Sequence, residues 1–257
     1  VIERLGLGPG VMLAHNRELG YGRMTGWGHY GTLANAAGHD INYLAITGGL
    51  HAIGTADKPV PPLNIAADYG GGGMMLVTGI LAALLRARTS GKGQVVDAAI
   101  CDGATYLMSL FYGMKEAGSW KDSRNSNLLD GAAPFYDTYQ CADGAWISIG
   151  SIEPQFYAML LEAAGATGLA QVEKLNPSRW PELKARFQDI FRTRSRDEWC
   201  SIMEYTDICF APVLNMTESP KHPHNVARGT FVTVEGVVQP APAPRFRISG
   251  QWHRPGQ

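Results

Sequence analysis

Four consecutive glycines, Gly70–Gly73, stand between the carboxylate of Asp68 and an apolar segment running from about Met74 to Arg88, and this block constrains the fold most. The apolar segment has the length of a helix. It ends in Ser90-Gly-Lys-Gly93, a tight turn, followed by Gln94–Ala98, a short strand, and then by a second apolar helix over about Asp102–Ala117. Helix, turn, strand and helix in that order predict an α/β architecture. Upstream, Glu18–Thr25 contains a short strand and Trp27–Gly31 reads as a loop. Asp40–Leu50 has apolar spacing compatible with one helix, and Pro59-Val-Pro-Pro-Leu63 is extended because proline and its preceding residue disfavour helix.

The pattern changes near residue 130. Ser119–Asp130 is polar and loop-like, and Phe135–Tyr139 and Ala145–Ile149 read as strands flanking a hairpin signal at Asp143-Gly144. A helix is expected over Glu153–Ala164. Ser195-Arg-Asp-Glu198 is a capping box that opens another helix to about Thr206. Beyond Pro220 the chain is rich in Pro, His and Gly, and Pro240–Pro244 reads as extended.

The 257 residues suit one large domain or two small ones, and 45% hydrophobic content is enough for a sizeable core. A formal net charge of −1 argues against a nucleic-acid binder, which carries a basic surplus. The four cysteines, Cys101, Cys141, Cys200 and Cys209, form no CxxC pair and no disulfide framework, so thiols in a reducing compartment are expected. The longest apolar stretch, Met74–Leu85, is interrupted by Thr78 and Gly79 and stops at Arg86, short of the ~18 residues a membrane helix needs, so no membrane span is expected. No signal peptide is visible in these residues, and a cytoplasmic location is expected. The opening Val1-Ile-Glu-Arg reads as the middle of a longer chain, so targeting is not legible.

Several residues could carry chemistry. Gly38-His-Asp-Ile-Asn-Tyr43 puts an imidazole, a carboxylate and a carboxamide at the mouth of a helix, where free backbone N–H groups suit an anionic oxygen. The plainer alternative is that Asp40 caps this helix and His39 packs locally. Asp68 precedes glycines that would let a ligand approach the backbone. The run is neither a phosphate loop, since no Lys-Ser/Thr pair follows, nor a GxGxxG fingerprint in its usual frame. Glu153, before Pro154, reads from the residues alone as a helix-start acid favouring the dipole. His222-Pro-His224 lacks partners at metal-site spacing and reads as a proline-rich loop; no metal site is expected. No Gly-x-Ser-x-Gly elbow supports a serine hydrolase.

Ala37–Tyr43, Pro59–Asn64, Asp68-Tyr-Gly-Gly-Gly72, Ser90–Ala99, Tyr136-Asp-Thr-Tyr139, Ile152–Tyr157 and Val238–Phe246, in this order and spacing, resemble the α-methylacyl-CoA racemases of the family III CoA-transferase superfamily. The resemblance covers nearly the whole chain. It implies a partial Rossmann-like large α/β domain, a smaller α+β domain and an interlocked homodimer. By it, residues 1–117 belong to the large CoA-binding domain, 118–132 to a linker, 133–225 to the small domain, and 226–257 return toward the large one. It also implies that an N-terminal segment bearing CoA-phosphate arginines precedes Val1, so that the chain is a truncated form. The implied activity is epimerisation at the α-carbon of 2-methylacyl-CoA thioesters through an enolate. His39 is the implied base on one face and Asp68 the acid–base group on the other. Glu153 pairs with the histidine, across a dimer interface, and the Asp40 backbone N–H meets the enolate oxygen. Gly38, His39, Asp40, Ile41, Asn42 and Tyr43 are the implied CoA-binding residues. Met74, Met75, Met108 and Met114 offer flexible apolar surface to the acyl chain, with ordinary core packing as the alternative. No cofactor is implied, CoA being part of the substrate. Two rivals are a family III CoA-transferase with Asp68 as nucleophile and a non-catalytic CoA-binding or dimerising fragment.

Overall fold

The computed structural model describes residues 2–166 and 174–246. The chain forms two compact units, Val1–Ala133 and Pro134–Gln257. The late part of the predicted return segment, 247–257, lies outside the described residues.

The first unit is mixed α/β. After α1 (Pro9–His15), β1 (Gly20–Thr25) pairs in parallel with β2 (Gln94–Ala99), in the register Gly20 to Gln94 and Thr25 to Ala99. Parallel neighbours need a crossover, and α4 (Met75–Ser90) supplies it by packing on both strands. Gly91, left-handed at φ +66°, ends α4 and lets the chain turn into β2.

The expected single helix over Asp40–Leu50 is two short ones, α2 (Asp40–Ala45) and α3 (Gly49–Ala52), because Gly48 takes φ +81° between them. The expected helix over Asp102–Ala117 starts earlier and breaks at Met108 into α5 (Ile100–Leu107) and α6 (Ser109–Glu116).

The largest correction concerns the glycine run. Ala66–Met74, expected to precede the helix, is a π-helical segment continuous with α4. Glycine costs a helix interior ~1 kcal/mol relative to alanine, and packing overrides this here. The π-helical segment lies against α5, where a Cβ on Gly71 would clash with the backbone of Ala104 and one on Gly103 with the Gly71 carbonyl. Two backbones meet where no side chain fits. The small core there is Leu44, Ala67, Ile100 and Ala104. In consequence Leu63–Ser90 is one 28-residue helical stretch, longer than the apolar run Met74–Leu85 and, by length and composition only, long and apolar enough to cross a membrane.

In the second unit β3 (Tyr136–Gln140), β4 (Trp146–Gly150) and β5 (Phe210–Val213) form an antiparallel sheet in that order. Asp143-Gly144 makes the predicted hairpin, with Gly144 at φ +80° and Tyr139 opposite Ile147. α8 (Trp180–Phe191) packs on β3, α9 (Arg196–Met203) packs on β5, and α7 (Pro154–Ala163) packs on α9. The core is aromatic: Tyr139 to Phe191 at 5.1 Å and Phe191 to Trp199 at 5.3 Å between ring centroids, with Phe187 stacked on Phe191. The capping box at the start of α9 is present, Ser195 N–H donating to Glu198 Oε2 at 2.7 Å. The proline-rich end is more ordered than expected. His222 precedes α10 (Pro223–Arg228), and β6 (Phe231–Val234) and β7 (Val237–Pro240) pair as a hairpin.

Candidate active site

His39 is the N-cap of α2, with extended backbone at φ −131°. Its N–H donates to Asn42 Oδ1 at 3.1 Å, which closes the helix start and leaves the imidazole exposed. Asp40 does not cap this helix. Its side chain, 6% exposed, points the other way and accepts the backbone N–H of Asp68 at 2.7 Å. One buried carboxylate thus ties the helix start that carries His39 to the π-helical turn that carries Asp68, 28 residues later.

Asp68 is half-buried, and Asn64 Nδ2 donates to its Oδ2 at 2.8 Å. Asn64 received no role from the sequence. Its signal was the four-residue spacing to Asp68, which brings side chains together only on a helix. Tyr43 completes the wall. Its hydroxyl donates to the Gly38 carbonyl, and its ring meets Trp27 edge-on at 4.7 Å. Burial raises the Tyr43 pKa, and the charge of Asp68 adds to the effect. Gly38 must be glycine, since a Cβ would fall 2.8 Å from both the Trp27 and the Tyr43 ring. Of the six residues assigned to CoA, Ile41 and Asn42 are exposed, while Gly38 and Tyr43 are engaged with each other.

Of the glycines after Asp68, Gly71 and Gly72 offer no path to the backbone, while Gly70 and Gly73 are half-buried. Gly71 and Gly72 are buried against α5 and its neighbours, and the run serves packing. Among the methionines, Met74 is 58% exposed at the end of the π-helical segment. Met108 instead lines a cavity of about 260 Å³ with Phe111, Tyr112, Trp120, His51 and Lys115, which contains neither His39 nor Asp68.

Glu153 lies in the second unit as the exposed N-cap of α7, with Pro154 in the first turn. Its charge is felt by Lys174, whose pKa burial lowers and Glu153 opposes, and by Cys209, whose thiol burial and then Glu153 push up. All four cysteines are free thiols; burial holds Cys141 and Cys200 up to about 11, so they are poor nucleophiles. His222 pairs with Glu204 at 2.8 Å, and no group of three or more His, Cys, Asp or Glu side chains among the described residues is placed to hold a metal ion.

The profile described as CoA-transferase family III matches residues 1–254. The chain is 44% identical over 250 residues to the α-methylacyl-CoA racemase of Mus musculus, covering 97% of this chain and 65% of that protein. It is 43% identical over 246 residues to the human α-methylacyl-CoA racemase, covering 95% and 64%. The chain therefore spans just under two thirds of the length of these relatives. A crystal structure of a CAIB/BAIF family protein from Brucella suis has a similar fold, with a TM-score of 0.76 at 24% identity over 95% of this chain and 66% of that one.

Proposed function

The chain belongs to CoA-transferase family III, and from that premise we propose that it epimerises the α-carbon of 2-methylacyl-CoA thioesters by 1,1-proton transfer. The observation that carries the reading is the Asp40–Asp68 tether, which holds an exposed imidazole and a half-buried carboxylate in one neighbourhood. Their likeness in sequence context to the racemases adds to it.

In this reading one base takes the α-proton, and the C–H electron pair moves into the thioester carbonyl to give an enolate. An acid on the opposite face returns a proton to the α-carbon, the carbonyl re-forms, and no acyl group leaves CoA. His39 is the group on one face and Asp68 the group on the other. The Asp40 N–H meets the enolate oxygen, a type of donor whose loss costs about 10²–10³ in rate. Glu153 orients an imidazole and favours its protonated form. Asn64 and the Asp40 carboxylate keep Asp68 in place. Gly38–Tyr43 contact CoA, and Met74 and Met75 offer the acyl chain a deformable surface. CoA enters as part of the substrate, and the proton exchange calls for no metal or redox group. The working form is a homodimer.

The test is α-proton exchange in D₂O with the full-length protein and a 2-methylacyl-CoA. Deuterium should enter at the α-carbon with inversion, hydroxylamine should trap nothing at Asp68, and His39→Ala should lower exchange by at least ~10². An aspartyl hydroxamate at Asp68 without α-exchange would assign a CoA-transferase instead, in which Asp68 attacks the thioester carbonyl, forms a mixed acyl anhydride and releases CoA. Binding without either reaction would leave a non-catalytic CoA-binding protein.

A further inference from the structure

The segment that joins β4 to α7, Ser151-Ile152-Glu153, rests on a lysine that the proposed reaction does not use. Lys174 is 3% exposed. Its Nζ donates to the Ser151 carbonyl at 3.0 Å and to the Ile152 carbonyl. It also lies over the ring faces of Phe135 at 4.5 Å and Tyr157 at 4.7 Å. The lysine backbone is itself anchored, since Trp180 Nε1 donates to the Lys174 carbonyl at 2.8 Å. Ser151 is fully buried, and its hydroxyl donates to the Ile208 carbonyl.

Burying an ammonium is costly, and an apolar side chain of the same length would fill this aromatic pocket without that cost. Core packing alone does not account for a charge at this position. The placement of its hydrogen bonds does. They fall on the two carbonyls immediately before Glu153, while the Glu153 carboxylate stays exposed at the N-cap of α7. Pro154 then restricts the next φ, and Tyr157 N–H donates to the Glu153 carbonyl at 3.0 Å. The backbone is thus gripped on both sides of Glu153, by the ammonium before it and by the helix after it.

We propose that Lys174 is a positioning residue that fixes the Ser151–Glu153 backbone and so sets the direction of the Glu153 carboxylate. This rests on the reading of Glu153 as the group that orients an imidazole. A displacement of ~1 Å at such a group can cost about 10²-fold in rate.

The experiment uses Lys174→Met in the full-length protein, alone and combined with Glu153→Gln. It reads amide hydrogen exchange at residues 151–155 together with kcat and KM for α-proton exchange. Lys174→Met should raise exchange across 151–155 and lower kcat by about 10- to 100-fold with KM changed less than about twofold. It should lower kcat no further in the Glu153→Gln background, since both changes act through one group. Wild-type protection at 151–155, or a kcat loss of the same size in both backgrounds, overturns the proposal. Should Glu153→Gln alone keep wild-type turnover, the role of Glu153 fails, and amide exchange by itself decides whether Lys174 holds the segment. If Lys174→Met does not fold, Lys174→Gln, which keeps an amide donor without the charge, is judged by the same readings.

Discussion

Asp40 sits 6% exposed with the backbone N–H of Asp68 against its Oδ2 at 2.7 Å. Asp40→Ala leaves that N–H without its acceptor and should destabilise the first unit by about 1–3 kcal/mol in chemical denaturation. Asp40→Asn keeps an acceptor oxygen and should cost less; equal losses would mean that the hydrogen bond is not what the side chain contributes. Glu218 offers a pH test. Its hydrogen bonds from the Arg196 guanidinium, the shorter at 2.6 Å, hold its pKa at about 2 rather than 4.5. A depressed carboxylate stabilises the fold fully above its unfolded value, and that contribution is lost as pH falls from about 4.5 through about 2. Arg196→Ala should return the Glu218 titration toward 4.5 in a carbon-detected NMR experiment; an unmoved titration would assign the shift to other groups. At this scale the sequence displayed His39 and Asp40 as neighbours at a helix start. It did not display where the Asp40 carboxylate points, because the acceptor's partner lies 28 residues away.

The π-helical segment Ala66–Met74 carries Asp68 and lies flush on α5. Gly71→Ala should overpack this contact and cost about 1–3 kcal/mol. Because Asp68 is on the same turn, turnover should fall more than stability predicts; thermal unfolding and exchange rate measured on one sample compare the two. In the second unit α8 buries Trp180, Leu183, Phe187 and Phe191 along one face. Phe187→Ala should cost about 3–5 kcal/mol by denaturant melt, and a value near that of a surface substitution would contradict the aromatic core. The hairpin at Asp143-Gly144 and the capping box at Ser195 were legible because each is a local backbone requirement met by adjacent residues. The α8 pattern, spaced three, four and four residues apart, was equally available but went unread beside two prolines, Pro177 and Pro181. The helical state of the glycine run was not legible, because local propensity disfavours the helix that packing on α5 imposes.

Over the whole molecule, α4 leaves Val77, Leu81, Leu84 and Leu85 exposed at 51%, 62%, 45% and 66%, spaced to lie along one side of the helix. Contiguous apolar surface of this kind seeks cover. The chain should therefore not run as a monodisperse monomer in light scattering, and Leu81→Glu with Leu85→Glu should shift it toward monomer. A monodisperse wild-type monomer would count against the homodimer. What the sequence by itself determined was the α/β character, the local hairpin and caps, and the family, since these reside in periodicity, turn chemistry and ordered motifs. Only the tertiary structure decided that four glycines form a helix, that the Asp40 carboxylate reaches Asp68, and that a buried Lys174 grips the backbone before Glu153. Each of these joins residues distant in sequence or sets packing against local preference, and a side chain's partner is chosen by the three-dimensional approach of elements that no local pattern encodes.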